Sequence, residues 1–229
     1  MRKLVRRPLL ALGIAASLGV AGLAASQSTE GMGKPNLAAN WGSSSEKAIR
    51  PAAPNRTDIP WFQTLVDAAP AGSVLKPPPG DYAGPVLIDK PLIIDGGGKV
   101  TVDGGGKGTV FVIDTKGATL RGMHLKGSGD SHDSDDACLN VRGDHHVVEG
   151  IVIDDCLFGI DLKQANHNVI RENRISSKPF DLGVRGDGLR LWYSNHNLIE
   201  KNEVIDSRDM VAWYANHNTY RGNIGKRSR

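Results

Sequence analysis

The tripeptide Asn-His-Asn occurs three times, at residues 166–168, 195–197 and 216–218. Aligned on the apolar runs "CLNV" (138–141), "GIDL" (159–162), "GLRL" (188–191) and "MVAW" (210–213), the surrounding repeats are offset by 21, 29 and 22 residues. Short strands that recur with a period in the low twenties, without helices between them, are typical of a β-solenoid. The longer step is explained by the inserted segment "SSKPFDLGVRGD" (176–187).

The rest of the chain fits the same class. Between residues 71 and 130, short β-branched runs are separated by Gly and Pro, which is typical of strands and turns. We predict an all-β, single-domain parallel β-helix over residues 57–229, with about six or seven coils. Residues 58–69 ("DIPWFQTLVDAA") predict a short helix with Asp58 as N-cap and Pro60 in its first turn. This helix should cover the open N-terminal end of the solenoid.

Residues 1–26 have a basic start and an apolar run followed by small residues, which is the pattern of an export signal. An uncleaved membrane anchor is the alternative, although the run is short for a membrane span. Residues 27–56 are rich in Ser, Ala, Asn, Gly and Pro and predict a flexible linker. The sequence thus predicts a periplasmic or otherwise exported protein with no membrane span after signal removal.

Net charge argues against one class of partner. The full chain carries a formal charge of +3, and the predicted signal contains four basic and no acidic residues. The mature chain is therefore close to neutral, which gives no electrostatic support for nucleic-acid binding.

Strand alternation predicts which side chains face the core. The inward set comprises Leu139, Val141, Ile160, Leu162, Leu189, Leu191, Val211 and Trp213. One outward column comprises Asn140, Asp161, Arg190 and Ala212, and the next comprises Arg142, Lys163, Trp192 and Tyr214. The same alignment places Cys138 and Cys156 three positions out of column, roughly 7 Å apart, so we expect no bond between them.

Equivalent turns should stack, because each coil bends at the same places. Asn tolerates the left-handed conformation and can bond neighbouring backbone, so we assign it that role. The turns also predict a column of histidines about 4.8 Å apart, formed by His145, His167, His196 and His217. Imidazole binds copper and zinc, which makes this column a candidate metal site; plain surface turn residues are the alternative.

Three segments resemble the NosD family, the periplasmic accessory proteins of nitrous oxide reductase maturation. They are "GDGLRLWYSNHNLIEKN" (186–202), "CLFGIDLKQANHNVIRENRI" (156–175) and "IDKPLIIDGGGKVTVDGGGKGTVFVI" (88–113). The resemblance covers about residues 65–223 and implies a right-handed parallel β-helix. It also implies a non-enzymatic role in copper-site assembly, with the reductase or a membrane copper–sulfur transporter as partner. Family members are usually longer, and they do not as a rule carry His in these turns.

A partner or ligand surface is predicted on the outward columns. Its residues are Asp161, Lys163, Asp187, Arg190, Trp192 and Tyr214. An exposed Trp beside charged residues on a rigid sheet is suited to sugars or protein partners. Alternatively, Asp161 and Arg190 form only a cross-strand ion pair, and Trp192 lies beneath the loop 176–187.

The segment "SGDSHDSDDACLNV" (128–141) gives the enzymatic alternative. Its carboxylates, with His132, are similar to the paired acids of polysaccharide hydrolases built on β-helices, although the basic motif that should follow is missing. A solvated acidic loop is the plainer interpretation. We assign no catalytic residue, and we keep a carbohydrate-active or sugar-binding β-helix as the alternative to the accessory role.

Overall fold

The computed structural model describes residues 47–228, which form one short helix, α1 (Gln63–Ala68), and eighteen strands. The strands are β1 (Val74–Leu75), β2 (Gly80–Ala83), β3 (Val86–Ile88), β4 (Ile93–Asp103), β5 (Phe111–Asp114), β6 (Thr119–Lys126), β7 (Ala137–Arg142), β8 (Val147–Glu149), β9 (Val152–Cys156), β10 (Phe158–Lys163), β11 (Val169–Arg171), β12 (Arg174–Ser177), β13 (Leu189–Trp192), β14 (Leu198–Glu200), β15 (Glu203–Ile205), β16 (Met210–Trp213), β17 (Thr219–Arg221) and β18 (Ile224–Lys226). The predicted signal and most of the predicted linker lie outside the described residues. Within those residues, no helix is long and apolar enough to cross a membrane.

The strands stack in parallel on three faces, as a β-helix requires. The site face is a six-stranded sheet in the order β16-β13-β10-β7-β5-β3. A twelve-stranded sheet supplies the other two faces, because the long strands β4 and β6 continue from one to the other. We call β1, the first parts of β4 and β6, and β8, β11, β14 and β17 the ladder face. The lateral face contains β2, the second parts of β4 and β6, and β9, β12, β15 and β18.

The core lies between the three faces and confirms most of the predicted inward set. Leu139, Val141, Ile160, Leu162, Leu189 and Leu191 are all fully buried within one apolar cluster. Their registers agree with the alignment, since β7, β10 and β13 pair Leu139 with Ile160 and Ile160 with Leu189.

The predicted register of the last coil is wrong by one residue. Leu189 pairs with Met210, and Trp192 pairs with Trp213, so the final offset is 21 residues. Trp213 therefore points outward and is 52% exposed, and Val211, not Ala212, follows Arg190 in the outward column. A shift of one residue moves every side chain of a strand to the opposite face, which is why both inward assignments, Val211 and Trp213, fail together.

The Asn-His-Asn turn is built differently from the prediction. The histidine is the left-handed residue, with φ of 63° at His145 and 57° at His167, His196 and His217. Histidine, like Asn and Asp, is enriched among residues with positive φ. The Asn after His167, His196 and His217 points inward, and Asn168 Oδ1 accepts the His146 backbone N–H at 2.7 Å. Asn168 and Asn197 donate their own N–H groups to the next Asn of the column, Asn197 and Asn218, at 2.8 Å.

A second buried asparagine column supports the corner between the ladder and lateral faces. Asn173, Asn202 and Asn223 each follow a residue with positive φ, namely Glu172, Lys201 and Gly222. Asn173 donates its backbone N–H to Asn202 Oδ1, and Asn202 donates to Asn223 Oδ1. Asn173 and Asn202 are buried and Asn223 is partly buried, so these bonds satisfy polar groups that are largely withdrawn from water.

The helix that covers the N-terminal end is shorter than predicted. Asp58 is not its N-cap: α1 begins at Gln63 after Phe62, and Asp58 forms an ion pair with Arg56. The backbone just before α1 instead pairs with β2 in the manner of a parallel strand. The Phe62 N–H donates to the Ala83 carbonyl, and the Ala83 N–H donates to the Pro60 carbonyl. Gln63 then closes the edge of the site face, because its side chain both accepts from the Leu87 N–H and donates to the Leu87 carbonyl.

The two cysteines form a disulfide, contrary to the prediction, with a Cα–Cα distance of 5.6 Å. The error came from measuring their separation by their offset in the repeat alignment, as if both residues lay on one face. Cys156 ends β9 on the lateral face, whereas Cys138 lies near the start of β7 on the site face. The chain turns at Leu157 between these faces, so the two side chains meet across the corner.

The ladder face carries one charged residue per coil, and the sign alternates along the axis. Strand register places Asp95, Arg121, Glu149, Arg171, Glu200 and Arg221 in one column. Lys76 follows β1 and continues the column next to Asp95. Hydrogen bonds of 2.8–2.9 Å join Arg121 to Asp95, Arg171 to Glu149, and Arg221 to Glu200. We call this column the charge ladder.

His146 predicts a pH dependence of stability. It is fully buried, its Nδ1 accepts the Ala118 N–H, and its Nε2–H donates to the Arg142 carbonyl. Burial lowers its pKa from 6.5, and the bond to Arg142 offsets this only in part. The unfolded chain therefore binds the extra proton first, so this contribution to stability is complete above about pH 6.5 and is lost below it.

We expect His146→Asn, which introduces the residue found in the following coils, to remove this dependence. The measurement is urea unfolding of both proteins between about pH 8 and about pH 5. As the pH is lowered, the free energy of unfolding of the wild type should decrease relative to that of the variant. A constant difference would contradict the assignment.

Candidate functional site: a charged cluster beside an aromatic patch

An ion pair lies at the centre of the site face. Asp161 and Arg190 are neighbours in register on β10 and β13. The guanidinium donates to both carboxylate oxygens at 2.9 Å, in a bidentate arrangement. Asp161 is fully buried although it lies outside the core, because loops cover this part of the face. The predicted cross-strand pair is thus confirmed.

A second carboxylate reaches the same arginine from a loop. Asp135, held at a φ of 52°, lies 2.7 Å from Arg190 and 2.6 Å from Lys163 Nζ. Burial alone would raise the pKa of Asp135, but its hydrogen bonds from Lys163 and Arg190 hold the pKa below the ordinary value. Asp135, Asp161, Lys163 and Arg190 form what we call the charged cluster.

Two loops meet over this cluster. The first joins β6 to β7, and the second joins β12 to β13. The His132 Nε2–H of the first loop donates to the Val184 carbonyl of the second at 2.9 Å. Lys178 Nζ of the second lies 3.0 Å from Asp130 of the first.

Phe158 lies beneath the joined loops. The Arg190 guanidinium carbon is 4.3 Å from the centre of the Phe158 ring, a cation–π contact. The His132 ring meets the same ring edge-on at 5.5 Å. Phe180 of the second loop also packs on the small apolar cluster that contains Phe158. The loops are therefore packed against the face as well as hydrogen-bonded to each other.

An aromatic patch adjoins the charged cluster toward the last coils. It consists of Trp192, Tyr193, Trp213 and Tyr214. The two tyrosine rings stack at 4.8 Å with an interplanar angle of 12°, and Trp192 stands nearly perpendicular to both. Trp213 and Tyr214 are 52% and 57% exposed.

The column assignment of Tyr214 was wrong, although its neighbourhood was right. Trp213 occupies the predicted place in the column of Lys163 and Trp192. Tyr214 lies in the next column beside Tyr193, and its ring centre is 5.6 Å from that of Trp192. The patch therefore has two columns of aromatic rings where the sequence predicted one.

Asp187 also belongs to this face, but another arginine holds it. Arg208 donates to its carboxylate at 3.0 Å, and the residue is almost fully buried. Burial raises the pKa of Asp187 above the ordinary carboxyl value, by more than the bond from Arg208 lowers it. The six predicted surface residues therefore lie on one face, with Asp187 withdrawn from solvent.

The acidic loop does not form a pair of free carboxylates. Asp136 is buried, and its Oδ2 accepts the Ser131 N–H, which closes the loop on itself. Asp135 belongs to the charged cluster. Asp135 and Asp136 are therefore not placed like the two carboxyl groups that flank the scissile bond of a sugar chain in a glycosidase.

The histidine column is present as predicted. Successive rings of His145, His167, His196 and His217 stack at 5.3, 5.0 and 4.9 Å, nearly parallel. Ring nitrogen lone pairs lie in the ring plane, so stacked imidazoles do not converge on one point. Within residues 47–228, no group of three or more His, Cys, Asp or Glu side chains is arranged to hold a metal ion.

Family comparison agrees with this architecture. The family model described as "Right handed beta helix region" matches residues 99–227, so the chain belongs to this family and the β-helix is right-handed. The match supports the β-helix part of the resemblance noted above and gives no support for a NosD-like identity.

Two further comparisons add little about function. No curated protein sequence matches the chain. A crystal structure of alginate lyase from Paenibacillus sp. str. FPU-7 is similar at a TM-score of 0.49 and 16% identity, over 72% of this chain and 73% of that chain. At this level of similarity, the likeness carries no argument about function.

Sequence reasoning missed three parts of the site. The roles of Asp135 and Phe158 depend on how the loops fold back, and no local pattern encodes that. Tyr193 could have been found, because Tyr193 and Tyr214 immediately precede Ser194-Asn195 and Ala215-Asn216 in matching repeats.

The charged cluster predicts a large stability effect. We expect Arg190→Met to cost about 3–5 kcal/mol, because it leaves the buried Asp161 carboxylate without its main partner. Urea unfolding monitored by circular dichroism provides the measurement. The matched control is Arg174→Met on the lateral face, where the exposed guanidinium pairs with Glu203 and for which we expect a much smaller loss. Equal losses would show that burial of Asp161 does not set the cost.

Proposed function

We propose that the protein is an exported, non-enzymatic binding protein that holds a saccharide chain on the site face. The observation that carries this proposal is the aromatic patch. Exposed aromatic rings are uncommon among residues 47–228, and two of them, Trp213 and Tyr214, contact the partly buried rings of Trp192 and Tyr193 at one place on a rigid sheet. Export rests on residues 1–26, which lie outside the described residues.

The chemistry of the face suits a sugar. The C–H faces of pyranose rings stack on aromatic rings, and their hydroxyl groups need donors and acceptors at the rim. The patch supplies the rings, and the neighbouring charged cluster supplies fixed polar groups. Successive aromatic positions repeat at about the strand spacing of 4.8 Å, which is comparable with the length of one sugar unit.

Binding is favoured over catalysis because the acids are already engaged. A glycosidase needs one carboxyl group that keeps its proton and faces the substrate. Asp135 and Asp161 are both paired with cations, and the pKa of Asp135 is lowered. Asp187 has a raised pKa, but it is buried against Arg208.

We expect Trp213→Ala to weaken binding of a recognised oligosaccharide at least about tenfold, which corresponds to about 1.4 kcal/mol. A glycan array would identify the oligosaccharide, and calorimetry would give the affinities. The control is Tyr220→Ala, which removes a ring of similar exposure on the ladder-face strand β17. Equal affinities in all three proteins would exclude the patch as the binding surface.

Enzymatic activity would overturn the non-enzymatic part of the proposal. The assay follows reducing ends and unsaturated sugar products on neutral and uronic-acid polysaccharides. Turnover that is abolished in Asp187→Asn, with folding retained, would make the site face an active site. We expect no turnover by either protein.

The accessory role in reductase maturation is the second candidate, with copper as its ligand and the reductase or a membrane transporter as partner. The observation that favours it is the column of four exposed, stacked imidazoles. Two adjacent rings could each supply one nitrogen to a copper ion after a change of rotamer.

Copper titration tests this second candidate. Calorimetry with Cu(I) and Cu(II) compares the wild type with a variant in which His145, His167, His196 and His217 are replaced by Gln. If the column binds copper, tight binding should disappear in the variant. Equal heats in both proteins would show that the histidines serve only the turns.

A further inference from the structure

Beside the charge ladder, the ladder face carries two more columns. The neighbouring outward column is mainly aliphatic and partly exposed. It contains Ile93, Thr119, Val147, Val169, Leu198 and Thr219. In the last four coils, the histidine column lies two residues before the aliphatic column in the chain, on the side away from the charge ladder. The face is thus a regular array in which every coil presents an aliphatic residue or Thr and a charge, and the last four coils also present His.

We propose that the ladder face is the interface of a two-fold symmetric dimer of this chain. In this dimer, the two solenoids lie antiparallel and the charge ladders face each other. The proposal is independent of the saccharide-binding site, which lies on a different face.

The alternation of charge makes the face complementary to itself. A two-fold axis that passes between the rows of Glu149 and Arg171 brings the Glu149 row of one copy opposite the Arg171 row of the other. Glu149 then faces Arg171, Arg121 faces Glu200, and Asp95 faces Arg221. Every contact among these six rows joins an acid to a base, because reversing a column of six alternating charges exchanges their signs. Lys76, the seventh charge of the column, lies beyond the last row of the other copy.

A two-fold dimer with parallel solenoids lacks this pairing of opposite charges. If the two-fold axis runs along the solenoids, equal rows meet and the order of columns is reversed. The charge ladder of one copy then faces the histidine column of the other. In that case Arg171 and Arg221 lie opposite His167 and His217, and these contacts repel once the histidines are protonated. Only Glu149 and Glu200 meet an imidazole that could attract them, and the first two rows have no histidine to face.

The spacing of the charges favours a second copy of this chain as the partner of the ladder face. Charges of alternating sign at about 4.8 Å intervals occur only where strands stack in register. A globular partner or a flexible peptide has no reason to carry this spacing. The arginines also remain available, since the side chains of Arg121 and Arg171 are 44% exposed and that of Arg221 is 64% exposed.

Cysteine cross-linking tests both the interface and its direction. In the antiparallel dimer, Thr119 of each copy faces Leu198 of the other. We expect the double variant Thr119→Cys/Leu198→Cys to form a covalent dimer when treated with oxidised glutathione. The two positions are three rows, or about 14 Å, apart within one chain, which is beyond disulfide reach. The native Cys138–Cys156 bond is buried and does not compete.

The single variants are the controls. Thr119→Cys alone and Leu198→Cys alone should remain monomeric on non-reducing gels, because each new thiol faces a residue without sulfur. Cross-linking of a single variant would indicate the parallel arrangement and overturn the proposed one. Absence of cross-linking in all three variants would overturn the interface.

Sedimentation equilibrium provides a second test without cysteines. The wild type should dimerise, and the dimer should weaken as salt is added, because exposed ion pairs are screened. Val169→Lys at the centre of the interface should shift the protein to monomer. Val152→Lys on the lateral face, where the native residue is 42% exposed, should leave the dimer intact. A monomeric wild type, or equal effects of the two variants, would contradict the proposal.

Discussion

The structure depends on how the chain turns its corners. A solenoid coil must bend sharply several times, and each bend turns backbone groups away from the ladder of strand pairing. Here a residue in the left-handed conformation makes the bend, and a buried Asn follows it, as at His167 and Asn168. The Asn amide donates to a carbonyl of the preceding coil, and its oxygen accepts an N–H from the same coil. Without these bonds, each corner would bury unpaired backbone groups, at about 1–3 kcal/mol per group.

This constraint explains which parts of the fold were readable in the sequence. The repeated turns and apolar runs predicted the solenoid and its period, and strand alternation predicted most of its inward residues. The repeats were aligned on the apolar runs, and this alignment failed in the last coil. Asn195 and Asn216 are 21 residues apart, which is the observed offset, whereas matching "MVAW" to "GLRL" gave 22. Corner residues fix the register because each one bonds to its equivalent in the next coil, and apolar side chains make no such one-to-one contact.

The candidate site was predictable only where it lies on strands. Asp161, Lys163, Arg190 and Trp192 were placed correctly because strand register determines their neighbours. The loops follow no period, so the position of Asp135 against Arg190 depends on a fold-back that only tertiary contacts specify. The disulfide is a similar case, since Cys138 and Cys156 meet across a corner instead of along a column. These loop contacts also bury Asp161, and they thereby convert an exposed cross-strand pair into a closed charged cluster.

The charge ladder provides a second kind of register information. Exposed ion pairs contribute little free energy, so stability alone does not account for six alternating charges on neighbouring coils. Their main effect is to specify which coils pair with each other. A coil paired one row out of place would set Glu against Glu and Arg against Arg, which like-charge repulsion opposes. The same alternation determines how the face meets a copy of itself, because reversal of the column exchanges acids and bases, whereas two parallel ladders that face each other in the same rows set like charges together. One sequence pattern therefore selects the order of coils within the chain and the antiparallel direction of any association through this face.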